Sequence, residues 1–426
     1  MKDGPYAGQM LHCEVTHGGV KRVFAEKIDG DYQGCVFRFT QGLEAGINRI
    51  SWGPDGALYC GGIGSTGNWG QSGKKRYGLQ RIKYNGSPTF EMLAVRSLAN
   101  GFEIEFTQPL PEGQGWDADR YFLERYWYLA TEEYGGPKMD PERMNVKSAN
   151  VSSDRRRVFL ELESADLKPE HVYYFLLLGS WSSESDQSLW STEGWYTLNN
   201  VPTDREGVVN PSPPVSAHNT LTDAEREAGW QLLFDGETTK GWRNFKQDTI
   251  SDGWAVEEGA LTRVGPAGDI ITEGQFSDFE LTLDWKVSPG GNSGIFYRVN
   301  EERGNAVYES GPEMQVLDNE RHADGENPLT SAGANYALHA PSFDASYPAG
   351  SFNAARILVH GRDVEYWLNG EKQCEFVIGS NEWNAAVARS KFATMPLFAR
   401  FRKGHIALQD HGDKVWFRNI KIREIK

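Results

Sequence analysis

The sequence predicts an all-β protein built from sandwiches of antiparallel strands. Its 426 residues include 47 Gly, 14 Trp, 17 Tyr and 21 Phe. Short β-branched and aromatic segments recur between clusters of Gly, Asn, Asp and Pro, a pattern typical of strands joined by turns. Runs with helical periodicity are scarce, and the length allows about two to four domains.

Residues 1–86 are predicted to form short strands with tight turns. The most specific segment is Pro54-Asp55-Gly56, where Pro fixes φ and Gly supplies a positive φ between two strands. This hairpin resembles those in the β-propellers of soluble sugar dehydrogenases. The resemblance covers one or two blades and implies that a parent propeller domain is missing at the N-terminus, because a propeller needs several blades to close.

Residues 87–200 are predicted to form an immunoglobulin- or fibronectin-like sandwich. In residues 102–106 (FEIEF) and 158–162 (VFLEL) the apolar side chains share one face, as in half-buried strands. The continuous apolar run at 172–178 predicts a strand that is buried on both faces. No cluster here suggests chemistry, so we interpret this domain as a spacer or docking element.

A linker and a short helix precede the last domain. Residues 201–222 contain the segment NPSPP at 210–214, which favours an extended polyproline conformation. Thr222 and Glu225 then have the spacing of a capping box at the start of a helix that Gly229 ends.

Residues 223–426 are predicted to form a jelly roll with one convex and one concave sheet. Strand-like segments follow one another closely, and Asn369-Gly370 predicts a type I′ hairpin. About two hundred residues with this density of strands fit a two-sheet sandwich.

Five successive motifs in this domain resemble those of the 3-keto-disaccharide hydrolase family. They are LFDGETTKGW (233–242), NSGIFYR (292–298), EMQVLDN (313–319), HIALQDHG (405–412) and FRNIKIRE (417–424). The resemblance covers residues 230–426 and implies a concanavalin A-like lectin/glucanase sandwich. It also implies action on glycosides oxidised at C3, and a bacterial protein that is periplasmic or secreted.

Strand parity predicts a polar groove on the concave sheet. Glu313 and Gln315 share a face, and so do Ala407, Gln409 and His411. The expected catalytic residues are Glu313, His411 and Arg298: a carboxylate and an imidazole for proton transfer, and a guanidinium for developing negative charge. The expected substrate-binding residues are Gln315, Asn292, Asp318, Gln409, Asp410, Tyr336, Lys391 and Trp383.

Structural interpretations of the same residues remain open. Arg298 can form a salt bridge with Glu309 or Glu313, and His411 can be a turn residue. Asp318 and Asp410 are equally compatible with turn acids. The tryptophans belong mostly to the core, and Trp383, near a Gly-Ser-Asn-Glu loop, is the candidate for sugar stacking.

The residues of the Glu313 strand favour elimination over direct displacement. Laminarinase-type retaining glucanases have the pattern Glu-x-Asp-x-x-Glu, whereas this chain has Gln315 in the middle and Asp318 last. A retaining mechanism needs two carboxyl groups about 5–5.5 Å apart. A 3-keto sugar has an acidified C2 proton, so Glu313 or His411 as base, with Arg298 stabilising the enolate, would suffice.

Composition limits the partners and cofactors. The net charge of −15 argues against nucleic acid, which requires a basic surface, and no apolar run has the length of a membrane span. A carbohydrate is the expected partner. No metal is expected to be required, since no Asp-x-Asp-x-Asp loop is present, although lectins of this fold often carry calcium. Cys13, Cys35 and Cys60 allow one disulfide, but free, buried thiols are favoured.

Two function classes compete. The first is an enzyme that acts on 3-keto-glycosides or related glucosides. The alternative is a non-catalytic carbohydrate-binding module attached to a sugar-oxidising propeller, which would tolerate loss of the Glu313 and His411 pair. A structural adhesin is a third class, for which charges that face into the groove are hard to explain. The fold alone cannot decide between these classes.

Overall fold

The computed structural model describes residues 5–64, 73–132, 135–210 and 218–425. The chain is nearly all β, as predicted, and divides into two compact units, Met1–Val215 and Ser216–Lys426. Most of the segment NPSPP lies outside the described residues. Among the described helices, none has both the length and the apolar composition that crossing a lipid bilayer requires.

The first unit contains three sheets, with strand orders β1-β2-β3-β14-β13-β9-β10, β11-β12-β8-β7 and β4-β5-β6. Their strands are β1 (Met10–Glu14), β2 (Gly19–Ile28), β3 (Asp31–Thr40), β4 (Gly46–Trp52), β5 (Leu58–Ile63), β6 (Tyr77–Ile82), β7 (Met92–Leu98), β8 (Gly101–Phe106), β9 (Tyr121–Tyr128), β10 (Lys138–Met144), β11 (Ser148–Val151), β12 (Arg157–Glu161), β13 (His171–Leu177) and β14 (Glu193–Leu198).

The seven-stranded and four-stranded sheets enclose one apolar core. No boundary between compact units lies at residue 86, because strand β3 pairs with β14 and so joins the first three strands to the predicted sandwich. Strand β8 buries Phe102, Ile104 and Phe106, as its alternation predicts. The apolar run at 172–178 does lie mostly in a strand, β13, as expected. Burial on both faces is wrong, because β13 alternates between buried and half-buried residues.

The three-stranded sheet contains the predicted hairpin. Strands β4 and β5 pair through the turn at Pro54-Asp55-Gly56, and Gly56 has a φ of 74°. The backbone N–H of Gly56 donates to the Gly53 carbonyl at 3.1 Å, which closes the turn. That this sheet is a blade from a propeller stays a prediction.

The second unit contains two sheets, with strand orders β17-β18-β27-β20-β23-β24-β25, extended by β15 on β27, and β16-β19-β26-β21-β22. Its elements are α1 (Asp223–Glu227), β15 (Gln231–Leu232), β16 (Trp242–Asn244), β17 (Trp254–Glu257), β18 (Ala260–Arg263), β19 (Ile270–Thr272), β20 (Phe279–Val287), β21 (Asn292–Val299), β22 (Glu313–Leu317), β23 (Asn353–His360), β24 (Asp363–Leu368), β25 (Glu371–Val377), α2 (Asn381–Arg389), β26 (His405–Leu408) and β27 (Val415–Glu424).

Local signals in this unit behave as the sequence predicts. Helix α1 begins with the capping box of Thr222 and Glu225. Asn369 and Gly370 have φ values of 51° and 86° between β24 and β25, as a type I′ turn requires. All four cysteines are free, and Cys35 and Cys60 are buried.

The large apolar core lies between the two sheets of the second unit. Met314, Val316, Ile406 and Leu408 belong to this core. Because successive side chains of a strand point to opposite faces, the residues between them project from the other side of the five-stranded sheet. We call that side the outer face, and it carries the candidate site.

Candidate functional site

Two cross-strand rows of residues form the floor of the site. In the first row Ile271, Ala407, Phe296 and Glu313 are neighbours on strands β19, β26, β21 and β22. In the second row, Gly294 pairs with Gln315, and the backbone N–H of Gln409 donates to the Gly294 carbonyl at 3.1 Å. The structure therefore brings Glu313, Gln315 and Gln409 onto one face, as predicted.

Glu313 is a buried acid in this floor. Its side chain lies over Gly294, where a β-carbon would collide with Oε1. Burial raises the pKa of Glu313 to about 8, and the charges of Asp269 and Asp324 act in the same direction against that of Lys391. No hydrogen bond joins its carboxyl group to another described residue. The group is thus largely protonated at neutral pH and available to a ligand.

Gln315 has no hydrogen-bond partner for its side chain among the described residues. The residue is 1% exposed, and both its Nε2 and its Oε1 are buried and unpaired. A buried polar group without a partner costs about 1–3 kcal/mol, and such a group in a native structure calls for an explanation. A bound hydroxyl-rich ligand would supply the missing donors and acceptors.

A second carboxyl group, Asp269, stands at the opposite side of the floor. It directly precedes strand β19, and its Oδ1 accepts a hydrogen bond from the backbone N–H of Asp410 at 3.0 Å. Burial raises the pKa of Asp269 to about 6, and the charge of Asp410 adds to this effect. Asp269 carries no signal in the sequence, because only the pairing of β19 with β26 brings it within electrostatic range of Glu313.

Tyr336 and Lys391 form one rim of the site, and their role in substrate binding stays a prediction. The backbone N–H of Tyr336 donates to the Glu313 carbonyl at 3.1 Å, and its hydroxyl donates to Asp324 Oδ2 at 3.5 Å. The Lys391 ammonium lies 4.1 Å from the centre of the Tyr336 ring and 5.9 Å from that of Tyr308. Lys391 thereby places a positive charge near Glu313.

The segment that carries Tyr336 also closes the edge of the sheet. Strand β22 is the last strand of the five, and its free side bonds to this segment. The backbone N–H of Gln315 donates to the Ala334 carbonyl, and the Gln315 carbonyl accepts from the N–H of Gly333. Strand β22, which carries Glu313 and Gln315, is therefore bonded on both sides.

His411 and Asn292 lie at the other end of the floor. Asn292 Nδ2 is 3.5 Å from Nε2 of His322, and the ring centres of His322 and His411 are 6.4 Å apart. His411 is exposed, since strand β26 ends at Leu408. Asn292 is four residues from the partner of Glu313, or about 13 Å along the strand. The structure thus separates the expected pair of Glu313 and His411, and it adds His322.

The prediction that Arg298 lines the groove is wrong. A bulge interrupts the pairing of β21 with β26 between Phe296 and Val299, and Arg298 adopts a φ of 53°. Its guanidinium donates to the carbonyls of Ser277 and Gly361 and pairs with Asp278 at 3.1 Å. The bulge shifts the side chains that follow it, so Arg298 does not lie on the face that strand parity predicts. Arg298 is a structural residue, and its salt-bridge partner is Asp278 instead of Glu309 or Glu313.

Asp318 and Asp410 are turn acids, so their expected role in substrate binding is not supported. Asp318 accepts hydrogen bonds from two backbone N–H groups, including that of Gly290 at 2.7 Å. Asp410 accepts from Nε of Arg263 at 2.6 Å and from both N–H groups of residues 267–268 at 2.8 Å. Both oxygens of each carboxylate are therefore already engaged.

Trp383 is a core residue, and its predicted stacking role is wrong. It is the buried residue of helix α2, which begins after the N-cap Ser380. Its ring stacks 5.3 Å from Phe376 and 6.0 Å from Phe398. The loop that suggested exposure is the start of a helix that turns this side chain inward. Tyr308, which is 39% exposed beside Lys391, is the aromatic residue open to a ligand here.

Comparisons with known proteins agree on the second unit. Residues 229–423 match a family model described as a 3-keto-alpha-glucoside-1,2-lyase-like domain. A 3-keto-disaccharide hydrolase from Bacteroides thetaiotaomicron is 36% identical over 227 residues, which cover 46% of this chain and 78% of the relative.

Two solved structures, both named as glycosyl hydrolases from Parabacteroides distasonis, also resemble this unit. One is 33% identical, with a TM-score of 0.47, and covers 49% of this chain and 100% of its own. The other is 27% identical, with a TM-score of 0.34, and covers 46% and 99%.

Proposed function

Because the chain belongs to the 3-keto-disaccharide hydrolase family, we propose that its second unit cleaves 3-keto-glycosides by elimination across C1 and C2. The observation that carries this proposal is the buried, unpaired carboxyl group of Glu313 beside the unpaired amide of Gln315. The lyase-like description of the matching family model supports elimination. A periplasmic or secreted location goes with this proposal.

The chemistry needs one base and one acid. A base removes the C2 proton, and the electrons of that bond move into the C3 ketone to form an enolate. The enolate then collapses to a C1–C2 double bond while the C1–O bond breaks, and the leaving oxygen takes up a proton. The products are a 2-hydroxy-3-keto-glycal and the free alcohol, and addition of water to the glycal would give the 3-keto sugar.

The two perturbed carboxyl groups divide these roles. Groups whose environments separate their pKa values are suited to act as an acid and a base. Asp269, with a pKa of about 6, is mostly ionised at neutral pH, and Glu313, with a pKa of about 8, is mostly protonated. Asp269 is therefore the base at C2, and Glu313 is the acid that protonates the leaving oxygen.

The remaining polar groups bind the sugar and the developing charge. The amide of Gln315 and that of Gln409 face the same side of the sheet and can hold ring hydroxyls. The ammonium of Lys391, which acts electrostatically on Glu313, is the cation that stabilises the enolate in place of Arg298. A binding module would need the amides but not a protonated, buried acid.

Leaving-group dependence tests this assignment. We expect Glu313→Gln to lose about 10²–10³-fold in kcat/KM with an alkyl 3-keto-glucoside, within the range for general acid catalysis. The loss should be much smaller with a 4-nitrophenyl leaving group, which departs without a proton. Asp269→Asn should lose activity with both substrates, because C2 deprotonation precedes departure of either group.

The exposed Glu302 provides a matched control. Glu302→Gln should retain activity with both substrates. NMR of the products should show the 2-hydroxy-3-keto-glycal before any hydrated sugar. Full activity of both the Glu313 and the Asp269 variants would refute the site, and binding of 3-keto-glucoside without turnover by the native chain would favour a binding module.

A further inference from the structure

The first unit contains a cavity that the proposed function does not use. It has a volume of 1240 Å³ and lies where the turn of β4 and β5 and the end of β6 face the segments 88–91 and 187–190. This volume is above the range of about 300–1,000 Å³ that is usual for small-molecule sites, so the cavity has room for more than one sugar ring. We propose that this cavity is a second carbohydrate-binding site, which takes a neutral oligosaccharide.

Three exposed aromatic side chains surround this cavity. Trp52, Tyr84 and Trp190 are 50%, 44% and 56% exposed, and all three line it. A single exposed aromatic residue needs no explanation, but three around one concave surface do. Tyr and Trp combine an apolar face with a polar edge. Such a face suits the C–H side of a pyranose ring, and the edge suits its hydroxyl groups.

A buried carboxyl group stands in the wall of the cavity. Glu91 lines the cavity and is 7% exposed. Its Oε1 accepts a short hydrogen bond from the Tyr6 hydroxyl, but its Oε2 has no hydrogen bond and lies 3.7 Å from Nη2 of Arg22. Tyr6, Glu91 and Arg22 therefore form a buried polar cluster in the wall behind the aromatic side chains.

The charge of the lining distinguishes between ligand classes. Both carboxylates of the lining have a cation beside them, since Asp55 pairs with Arg81 at 2.7 Å and Glu91 lies 3.7 Å from Nη2 of Arg22. Charges that are compensated within the wall favour an uncharged ligand over a strongly charged one. Aromatic faces together with carboxylate and amide groups match a neutral sugar. The site consists wholly of residues from the first unit, so it does not depend on the chemistry at Glu313.

Titration with neutral trisaccharides tests the proposal. The full-length Glu313→Gln chain would be titrated calorimetrically with cellotriose, maltotriose and laminaritriose. We expect at least one to bind with a Kd near or below about 1 mM. Trp190→Ala and Trp52→Ala should each weaken that binding about tenfold, which corresponds to about 1.4 kcal/mol.

Tyr32→Ala is the matched control, since Tyr32 is 71% exposed and does not line the cavity. It should bind like the parent, and unchanged Tm values would show that all three variants fold. The proposal is overturned if no trisaccharide binds, or if the two Trp variants bind normally. A dimer in sedimentation velocity that Trp190→Ala dissociates would also overturn it, because the aromatic rim would then be an interface.

Discussion

The side chain of Glu313 lies over Gly294 on the neighbouring strand, in space that any other residue at 294 would occupy. Gly294 has no positive φ, so its backbone would accept alanine without strain. The absence of a side chain at 294 thus positions the acid.

We expect Gly294→Ala to displace the Glu313 carboxyl group and lower kcat/KM by at least about tenfold, since misplacement by about 1 Å can cost 10²-fold. Steady-state kinetics with a 3-keto-glucoside would measure the loss. Gly265→Ala is the control, because a β-carbon there meets only Gly253 Cα at 4.0 Å. Equal activity of the two variants would contradict a positioning role for Gly294.

The pH dependence of turnover should be bell-shaped. Activity needs ionised Asp269 and protonated Glu313, so kcat/KM should rise through about pH 6 and fall through about pH 8. Initial rates across this range would give both limbs. Glu313→Gln should remove the alkaline limb for the 4-nitrophenyl substrate. An alkaline limb that persists unchanged in this variant would assign it to another group.

Stability should also depend on Glu313. Its folded pKa of about 8 exceeds its ordinary value of 4.5, so the folded state holds a proton that the unfolded state releases in this window. The free energy of unfolding therefore falls as pH rises from 4.5 through 8. Glu313→Gln lacks this penalty, so its Tm should exceed that of the native chain at pH 9, and the advantage should disappear near pH 4.5. A constant difference in calorimetry would contradict the shifted pKa.

The side chain of Gln315 should contribute to substrate binding and not to stability. Gln315→Leu removes two unpaired polar atoms from a buried position, so the free energy of unfolding should stay constant or rise by about 1–2 kcal/mol. The KM for a 3-keto-glucoside should increase about tenfold, because loss of one hydrogen bond to the substrate costs about 1.4 kcal/mol of binding free energy. Urea denaturation and kinetics would measure the two effects. A strongly destabilised variant would mean that the amide has a structural role.

Replacement of Arg298, in contrast, should lower the stability of the protein and leave its activity unchanged. Arg298→Ala removes a 4% exposed cation that bonds two carbonyls and Asp278. The free energy of unfolding should fall by about 2 kcal/mol, because the carbonyls lose their donor while the partly exposed Asp278 can be solvated. The kcat/KM of the folded protein at low temperature should remain near that of the native chain. Loss of activity at unchanged Tm would restore the catalytic role that the groove prediction gave to this residue.

The sequence predicts those parts of the site that follow from strand parity. Glu313 and Gln315 share the outer face because β22 keeps a period of two, and Gln409 joins them because its backbone N–H continues the pairing of β26 with Gly294 by one residue. Strand parity does not predict the position of Arg298, because a bulge in β21 shifts the side chains that follow it. It also does not predict that of His411, which lies beyond the end of β26. The bulge has no local signature in the sequence, whereas Asp410 and Gly412 around His411 are compatible with the turn that ends the strand.

Other residues depend on pairings between distant parts of the chain. Asp269 comes within electrostatic range of Glu313 only because β19 pairs with β26, and the first three strands join a sheet through β14. Trp383 was misjudged for a local reason, since Ser380 is an N-cap as well as a loop residue. Turn and cap signals were correct wherever φ or a hydrogen bond to a near neighbour determined the conformation, as at Gly56, Thr222 and Gly370.

The segment that carries Tyr336 has a consequence for solubility. Strand β22 ends its sheet, and an unprotected end strand with apolar residues is a template for the addition of strands from other molecules. Backbone groups of Glu313 and Gln315 on that side are already bonded to Gly333, Ala334 and Tyr336. The chain can therefore carry the strand of Glu313 and Gln315 at the margin of the sheet without exposing a template for aggregation there.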